Sequence, residues 1–195
     1  RFAGKFPDNL PDDSFANLMG IAREVLADYV GNPRVAAFWL PRFERFAQWF
    51  AETEPTRREG VARVAAEVTG QRVIAAPGGP FILSARADRI DIGERGMLIT
   101  DYKTGSVPGD KQIAMGMKPQ LPLEAAIALG EAGFATVPPG AVIGLRYVRA
   151  TGAEPPGEDR LVEAGEPAAL AAAALESLTR LIARFDDEAT PYKAL

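Results

Sequence analysis

The 195 residues include no cysteine and no histidine. The first absence excludes disulfides, cysteine-ligated zinc and cysteine-ligated iron–sulfur clusters, and is compatible with a reducing compartment. The second removes imidazole from any metal site or proton relay built within this stretch. No apolar run approaches the roughly 20 residues that span a bilayer. The opening RFAGKFPDN lacks the apolar core of a signal peptide, so a soluble, cytoplasmic protein is the expectation. Repeats and low-complexity tracts are missing apart from an alanine-rich patch that favours helix, and nothing resembles a nucleotide loop or a nucleophile elbow. Basic residues are outnumbered, 22 Lys and Arg against 26 Asp and Glu, for a net charge of -4.

What remains is an ordinary globular composition, 47% hydrophobic and 25% charged, which at this length suits one compact α/β domain. The chain centres on Phe81 to Thr104, FILSARADRIDIGERGMLITDYKT. Phe81 to Ile92 is rich in apolar and β-branched residues, Gly93-Glu94-Arg95-Gly96 supplies turn chemistry, and Met97 to Lys103 resumes an extended pattern, so a hairpin is predicted. With Ile92 opposite Met97, antiparallel register sets Asp88 opposite Asp101 and Arg86 opposite Lys103. Alternation then puts Asp88, Asp101 and Lys103 on one face. Two carboxylates about 5 Å apart repel. Either one keeps its proton or a hard divalent cation sits between them. The neighbouring lysine favours the cation, because an ammonium beside it can orient or help deprotonate a water aimed at phosphorus.

Around this hairpin the elements fall in a simple order. Asp12-Asp13-Ser14 offers caps to a helix carrying Phe15, Leu18, Met19, Ala22, Val25, Leu26 and Tyr29, which Gly31-Asn32-Pro33 stops. A second helix from Pro33 carries Phe38, Trp39, Phe43, Phe46, Trp49 and Phe50. Aromatics of this kind can serve as stacking platforms for bases, but the spacing predicts a stripe facing the core. Thr56 to Ala66 reads as a helix giving way to a strand near Val64 to Ile74, and Glu67 lies in that strand. Gly105 to Gly116 reads as a loop in which Lys111, like Lys118 beyond it, is expected to be solvated. Pro119 and Pro122 suit the first turn of a helix that places Gln120 at its positive end, where anions are favoured. Glu124 lies one turn on, placed to hold Gln120 or Lys103. Ala141 to Arg149 reads as a buried strand, Thr151 to Glu166 as a loop or short hairpin, and Pro167 to Phe185 as a covering helix. The expected organisation is therefore a single domain, with a helical region over 1–60, a sheet-and-helix core over 61–150, and a loop and covering helix over 151–195.

Three ordered blocks carry a family resemblance: Ala87-Asp88-Arg89-Ile90-Asp91, Asp101-Tyr102-Lys103-Thr104-Gly105 and Pro119-Gln120-Leu121-Pro122-Leu123-Glu124-Ala125. Together they resemble the Asp…(Asp/Glu)-x-Lys signature of the PD-(D/E)XK nucleases, in the branch holding the RecB- and AddB-type nuclease domains, with AddB-type the closer match. The resemblance implies a restriction-endonuclease-like core with a mixed central sheet flanked by helices. It implies Mg²⁺- or Mn²⁺-dependent exonucleolytic hydrolysis of DNA in double-strand break repair, beside an AddA-type helicase–nuclease subunit. By that likeness Asp88, Asp101 and the Tyr102 carbonyl would hold the metal, Lys103 would position the attacking water and Gln120 would steady the scissile region. Glu67, by its order in the chain, is the candidate for a further acidic ligand. The family often has Gln-x-x-x-Tyr, and Glu124 stands where the tyrosine would fall. Two departures stand out. No histidine is present to match the Gly-x-x-x-His helix of this branch, so the chain is expected to begin just after that helix, to end inside a further family segment that starts at Thr190 and, lacking one metal ligand, to bind metal weakly and cut poorly or not at all alone. Ala85 replaces the glycine usual three residues before the metal aspartate. The net charge of -4 predicts weak DNA affinity for the isolated chain, since phosphate binding draws on cations displacing counterions. The alternative is a catalytically incomplete nuclease-like domain with a structural or DNA-guiding role, its hairpin carboxylates paired with Arg86, Arg89 or Lys103.

Overall fold

A computed structural model describes residues 1–29 and 35–191. The sequence stop at Gly31-Asn32-Pro33 and the tail beyond Pro191 lie outside the described residues. Thirteen-residue helix α2 (Ser14–Leu26) follows a short α1 (Phe2–Lys5) and is capped by the Asp13 carboxylate, which accepts the Ala16 amide at 2.7 Å. A π-helical turn (Val35–Trp39) leads into α3 (Leu40–Arg57). Five strands then build one sheet in the order β1 (Val61–Ile74), β2 (Phe81–Gly93), β3 (Gly96–Lys103), β4 (Val142–Ala150), β5 (Gly157–Leu161). All neighbours are antiparallel except β3 and β4, which run parallel. A parallel pair needs a long crossover, and here the crossover carries α4 (Asp110–Ala114) and α5 (Gln120–Ala128). Helix α6 (Pro167–Phe185) closes the fold beside α5. The expected mixed sheet flanked by helices, with a helical N-terminal region, is what the chain forms. Among the described residues no helix is long and apolar enough to cross a membrane.

The sheet separates two apolar clusters. On one face Ile90, Ile99, Leu145 and Tyr147 pack against Leu121, Ala125 and Ile127 of α5 and Ala171 of α6. On the other, Phe2, Leu18, Met19, Ala47 and Phe50 gather with Phe46, Trp49 and the Tyr102 ring. Gly70 lets the end of the crossover close onto β1, since a Cβ there would lie 2.8 Å from the Gly133 carbonyl oxygen.

Three sequence expectations change. The aromatic stripe does not all face inward: Phe38 is 67% and Trp39 66% exposed. The π-helical turn breaks the 3.6-residue period, so only the aromatics from Phe43 onward keep the buried phase. The strand after α3 begins at Val61, earlier than Val64, because the helix ends at Arg57 and Gly60 takes a φ of 72° that only glycine adopts freely. Within Gly105 to Gly116 lies α4, held from outside the segment: Arg160 binds the Asp110 carboxylate at 3.1 Å and the Pro108 carbonyl.

Candidate active site

The hairpin register is the expected one. Ile92 faces Met97 and Arg89 faces Thr100, a count that sets Asp88 opposite Asp101. The turn is tighter than four residues, with Gly93 and Gly96 paired across Glu94-Arg95. The β2–β3 ladder stops at Arg89 and Thr100, and one step further the Asp88 side chain takes over: Oδ2 accepts the Tyr102 amide at 2.9 Å. Simple alternation does not produce this placement. Ala87 and Ile90 both pack into the α5-side cluster, as do Ala65 and Val68 on β1, although residues three apart in a regular strand face opposite ways. Both strands therefore change phase together at Ala66-Glu67 and Asp88-Arg89. Glu67 absorbs the change with a φ of 56°, an uncommon conformation for any residue but glycine.

Asp101 lies on the α5 face, buried, and is held from two sides. Lys103 Nζ donates to Oδ1 at 2.8 Å and stands 2.7 Å from Oδ2, while Gln120 Nε2 donates to Oδ1 at 2.6 Å. Gln120 reaches this point because it opens α5, and its Oε1 in turn accepts from Lys103 Nζ at 2.9 Å. Glu124, one turn along, fixes the amide further by accepting from Gln120 Nε2 at 3.2 Å. Burial raises the Asp101 carboxyl above the usual range against the pull of Lys103, with Asp88 nearby adding to the rise. Burial also pushes Glu124 up to about 7, opposed by Gln120 and reinforced by Asp101 and Asp88. Glu124 Oε2 is buried without a hydrogen bond, and Asp101 Oδ2 meets only the Lys103 ammonium.

These observations bear on the metal expected from the sequence. Hard carboxylate oxygens, those of Asp88 and Asp101 brought close together, suit a divalent cation such as Mg²⁺ or Mn²⁺. Among the described residues no group of three acidic, His or Cys side chains is placed to hold a metal ion. Asp88 and Asp101 are brought together; Glu67 is not, its carboxylate meeting Arg86 Nη2 at 2.6 Å on the exposed strand surface. Tyr102 sits at the site through its backbone, whereas its phenol lies across the sheet, 3.2 Å from Arg89 Nη1. Arg89 serves neither hairpin carboxylate, being bound to Glu54 and Asp91 on that far face.

A cleft of about 500 Å³ opens over Lys103 and Gln120. Among its walls Tyr147 went unassigned in the sequence. Lys118, expected to be solvated, is exposed and lines the cleft with Lys103. Tyr147 stands opposite Asp101 in the β3–β4 register, with its ring 6.0 Å from Lys103 Nζ. Parallel register across a crossover of 38 residues leaves no short-range signal. The aromatic in AVIGLRYVR marks a buried strand and nothing more.

Comparison with known proteins gives a consistent picture. A sequence profile described as the PD-(D/E)XK nuclease superfamily matches residues 5–194. An uncharacterized protein of Rickettsia typhi is 28% identical over 123 residues, 63% of this chain and 14% of that protein. One of Rickettsia conorii is 30% identical over 127 residues, 65% of this chain and 15% of that protein. The chain thus spans about a seventh of the length of the curated relatives it matches. A solved structure titled "Crystal structure of SSO0001" superposes over 94% of this chain and 82% of its own, at 14% identity and a TM-score of 0.39, too loose a likeness to carry an argument.

Proposed function

Because the chain belongs to the PD-(D/E)XK nuclease superfamily, we propose that it is a metal-dependent deoxyribonuclease module whose reaction is carried by Asp88, Asp101, Lys103 and Gln120. The observation that carries this reading is the closed set of hydrogen bonds joining Asp101, Lys103 and Gln120 beside Asp88, with Lys103 and Gln120 opening onto one cleft. Asp88 and Asp101, with the Tyr102 carbonyl, would hold Mg²⁺ or Mn²⁺. Bound there, the ion would act as a Lewis acid on a phosphate oxygen. Lys103 has three N–H donors. Asp101 Oδ1 and Gln120 Oε1 each take one, and the third, facing Asp101 Oδ2 in this structure, would serve a water positioned to attack phosphorus. Gln120 fixes the direction of that ammonium and, at the positive end of α5, favours a phosphate nearby.

The three sequence blocks support an AddB-type module acting exonucleolytically in cytoplasmic double-strand break repair, alongside an AddA-type helicase–nuclease subunit. Glu67, engaged by Arg86, would join the metal only by leaving that exposed ion pair. The test is cleavage of end-labelled single- and double-stranded DNA with Mg²⁺ or Mn²⁺, with metal titration in parallel. Lys103→Ala is expected to lower the rate by about a hundredfold or more, and Asp101→Ala to weaken metal binding. Metal affinity unchanged by Asp101→Ala, with no cleavage under either ion, would return the domain to a structural or DNA-guiding role.

A further inference from the structure

Of the exposed aromatics, Trp39 stands beside core aromatics at the mouth of a cleft. Trp39, Phe43 and Phe46 line this cleft of about 310 Å³ together with Arg42, Thr104 and Gly152. It lies on the α3 side of the sheet, opposite the α5 side that holds Asp101 and Lys103, and meets the candidate active site round the end of β3, where Thr104 follows Lys103 directly. Lys103 also pairs in register with Arg149, so the chain turning from β4 into Gly152 leaves the same end of the sheet. The walls are fixed. Arg45 Nε donates to the Gly152 carbonyl at 2.8 Å, and the Gly152 backbone is pressed so closely on Arg42 that a Cβ there would meet the Arg42 carbonyl oxygen. The Phe43 and Phe46 rings pack together with centroids 6.3 Å apart, and Phe46 leans on Trp49 at 5.6 Å. Trp39 alone stands free, 66% exposed, and the Arg42 guanidinium beside it has no ion-pair partner among the described residues.

We propose that this cleft receives an unpaired base of the DNA strand whose phosphate lies over Lys103, stacking it on Trp39 with Arg42 at the backbone. The inference rests on the nuclease reading and adds to it that the substrate strand is single-stranded where it leaves the site. A flat, exposed indole at the wall of an aromatic-lined cleft, with an uncommitted guanidinium, is the chemistry that binds any base without reading its edges. A paired base would have its faces covered by neighbouring base pairs and could not enter.

Binding of fluorescent oligothymidylate, measured by anisotropy in EDTA at low salt so that no cleavage occurs, tests it. The same strand with abasic sites and a blunt duplex serve as comparisons. Trp39→Ala is expected to weaken oligothymidylate binding by about tenfold and Trp39→Phe to restore most of it. The abasic strand should bind the wild-type chain more weakly and be indifferent to Trp39→Ala. Equal losses on intact and abasic strands, no loss with Trp39→Ala, or no binding of oligothymidylate by the wild-type chain would each overturn the proposal. Lys103→Ala keeps the two readings apart. Cleavage that depends on Lys103 with binding that ignores Trp39 removes only the stacking cleft, and the converse removes only the nuclease.

Discussion

Glu124 sits in an environment that its residue type does not prefer. It is 4% exposed, close to two other carboxylates, and partnered by an amide rather than a cation. Its carboxyl is pushed up from 4.5 to about 7, with burial the main cause. A carboxyl that binds its proton more tightly folded than unfolded lends stability below pH 4.5 and loses it as pH rises through 7. Glu124→Gln, which keeps the shape and cannot ionise, should therefore be neutral near pH 4.5 and more stable than wild type at pH 8, by on the order of 3 kcal/mol. Urea denaturation at the two pH values in EDTA checks this. A difference independent of pH would mean that Glu124 ionises freely. The pressure on Glu124 could be anticipated in part from the sequence, because its spacing from Gln120 was visible. The burial that drives the shift was not, since it comes from the sheet beneath α5.

At the scale of elements, the coupled change of phase in β1 and β2 places Asp88 between strands instead of on a face. Hairpin length and register were readable because turn chemistry and β-branched runs are local. The phase change was not, because alternation assumes an unbroken pleat and no residue type announces its interruption; Glu67 is neither glycine nor asparagine. A β-branched residue tolerates a left-handed backbone poorly. Glu67→Val should then cost about 1–2 kcal/mol of stability, while Glu67→Gly should be neutral or gain up to about 1 kcal/mol. The exposed pair with Arg86 contributes little to either value. Thermal melts of the two variants decide the matter. Equal destabilisation by both would assign the cost to the lost carboxylate and not to the backbone.

The whole molecule is held across its sheet by charges as well as by its apolar clusters. On the face away from the cleft, alternating acids and guanidiniums close a ring: Glu54 to Arg57 at 3.0 Å, Arg57 to Asp159 at 3.3 Å, Asp159 to Arg146 at 3.3 Å, Arg146 to Asp91 at 3.7 Å, Asp91 to Arg89 at 2.6 Å, and Arg89 back to Glu54 at 2.8 Å. It joins α3, β2, β4 and β5. Partners so far apart in the chain cannot be matched from spacing, and in the sequence Arg89 is a candidate partner of the hairpin carboxylates instead. Burial alone would raise the Glu54 carboxyl, yet Arg89, Arg57 and Arg58 together hold it below its usual range, so it stays ionised. Arg89→Ala would leave Glu54 and Asp91 buried with less than their full complement of donors, a change that typically costs about 3–5 kcal/mol. Loss of that size in urea, with far-ultraviolet dichroism intact before the transition, is the expected result. Arg89 also follows Asp88, which accepts the backbone amide of Tyr102 on the neighbouring β3. If the ring sets where those two strands part, the same variant should lose metal affinity at temperatures where it is still folded. A variant that is destabilised but binds Mn²⁺ as wild type does would separate the ring from the site and leave it a fastening of α3 to the sheet.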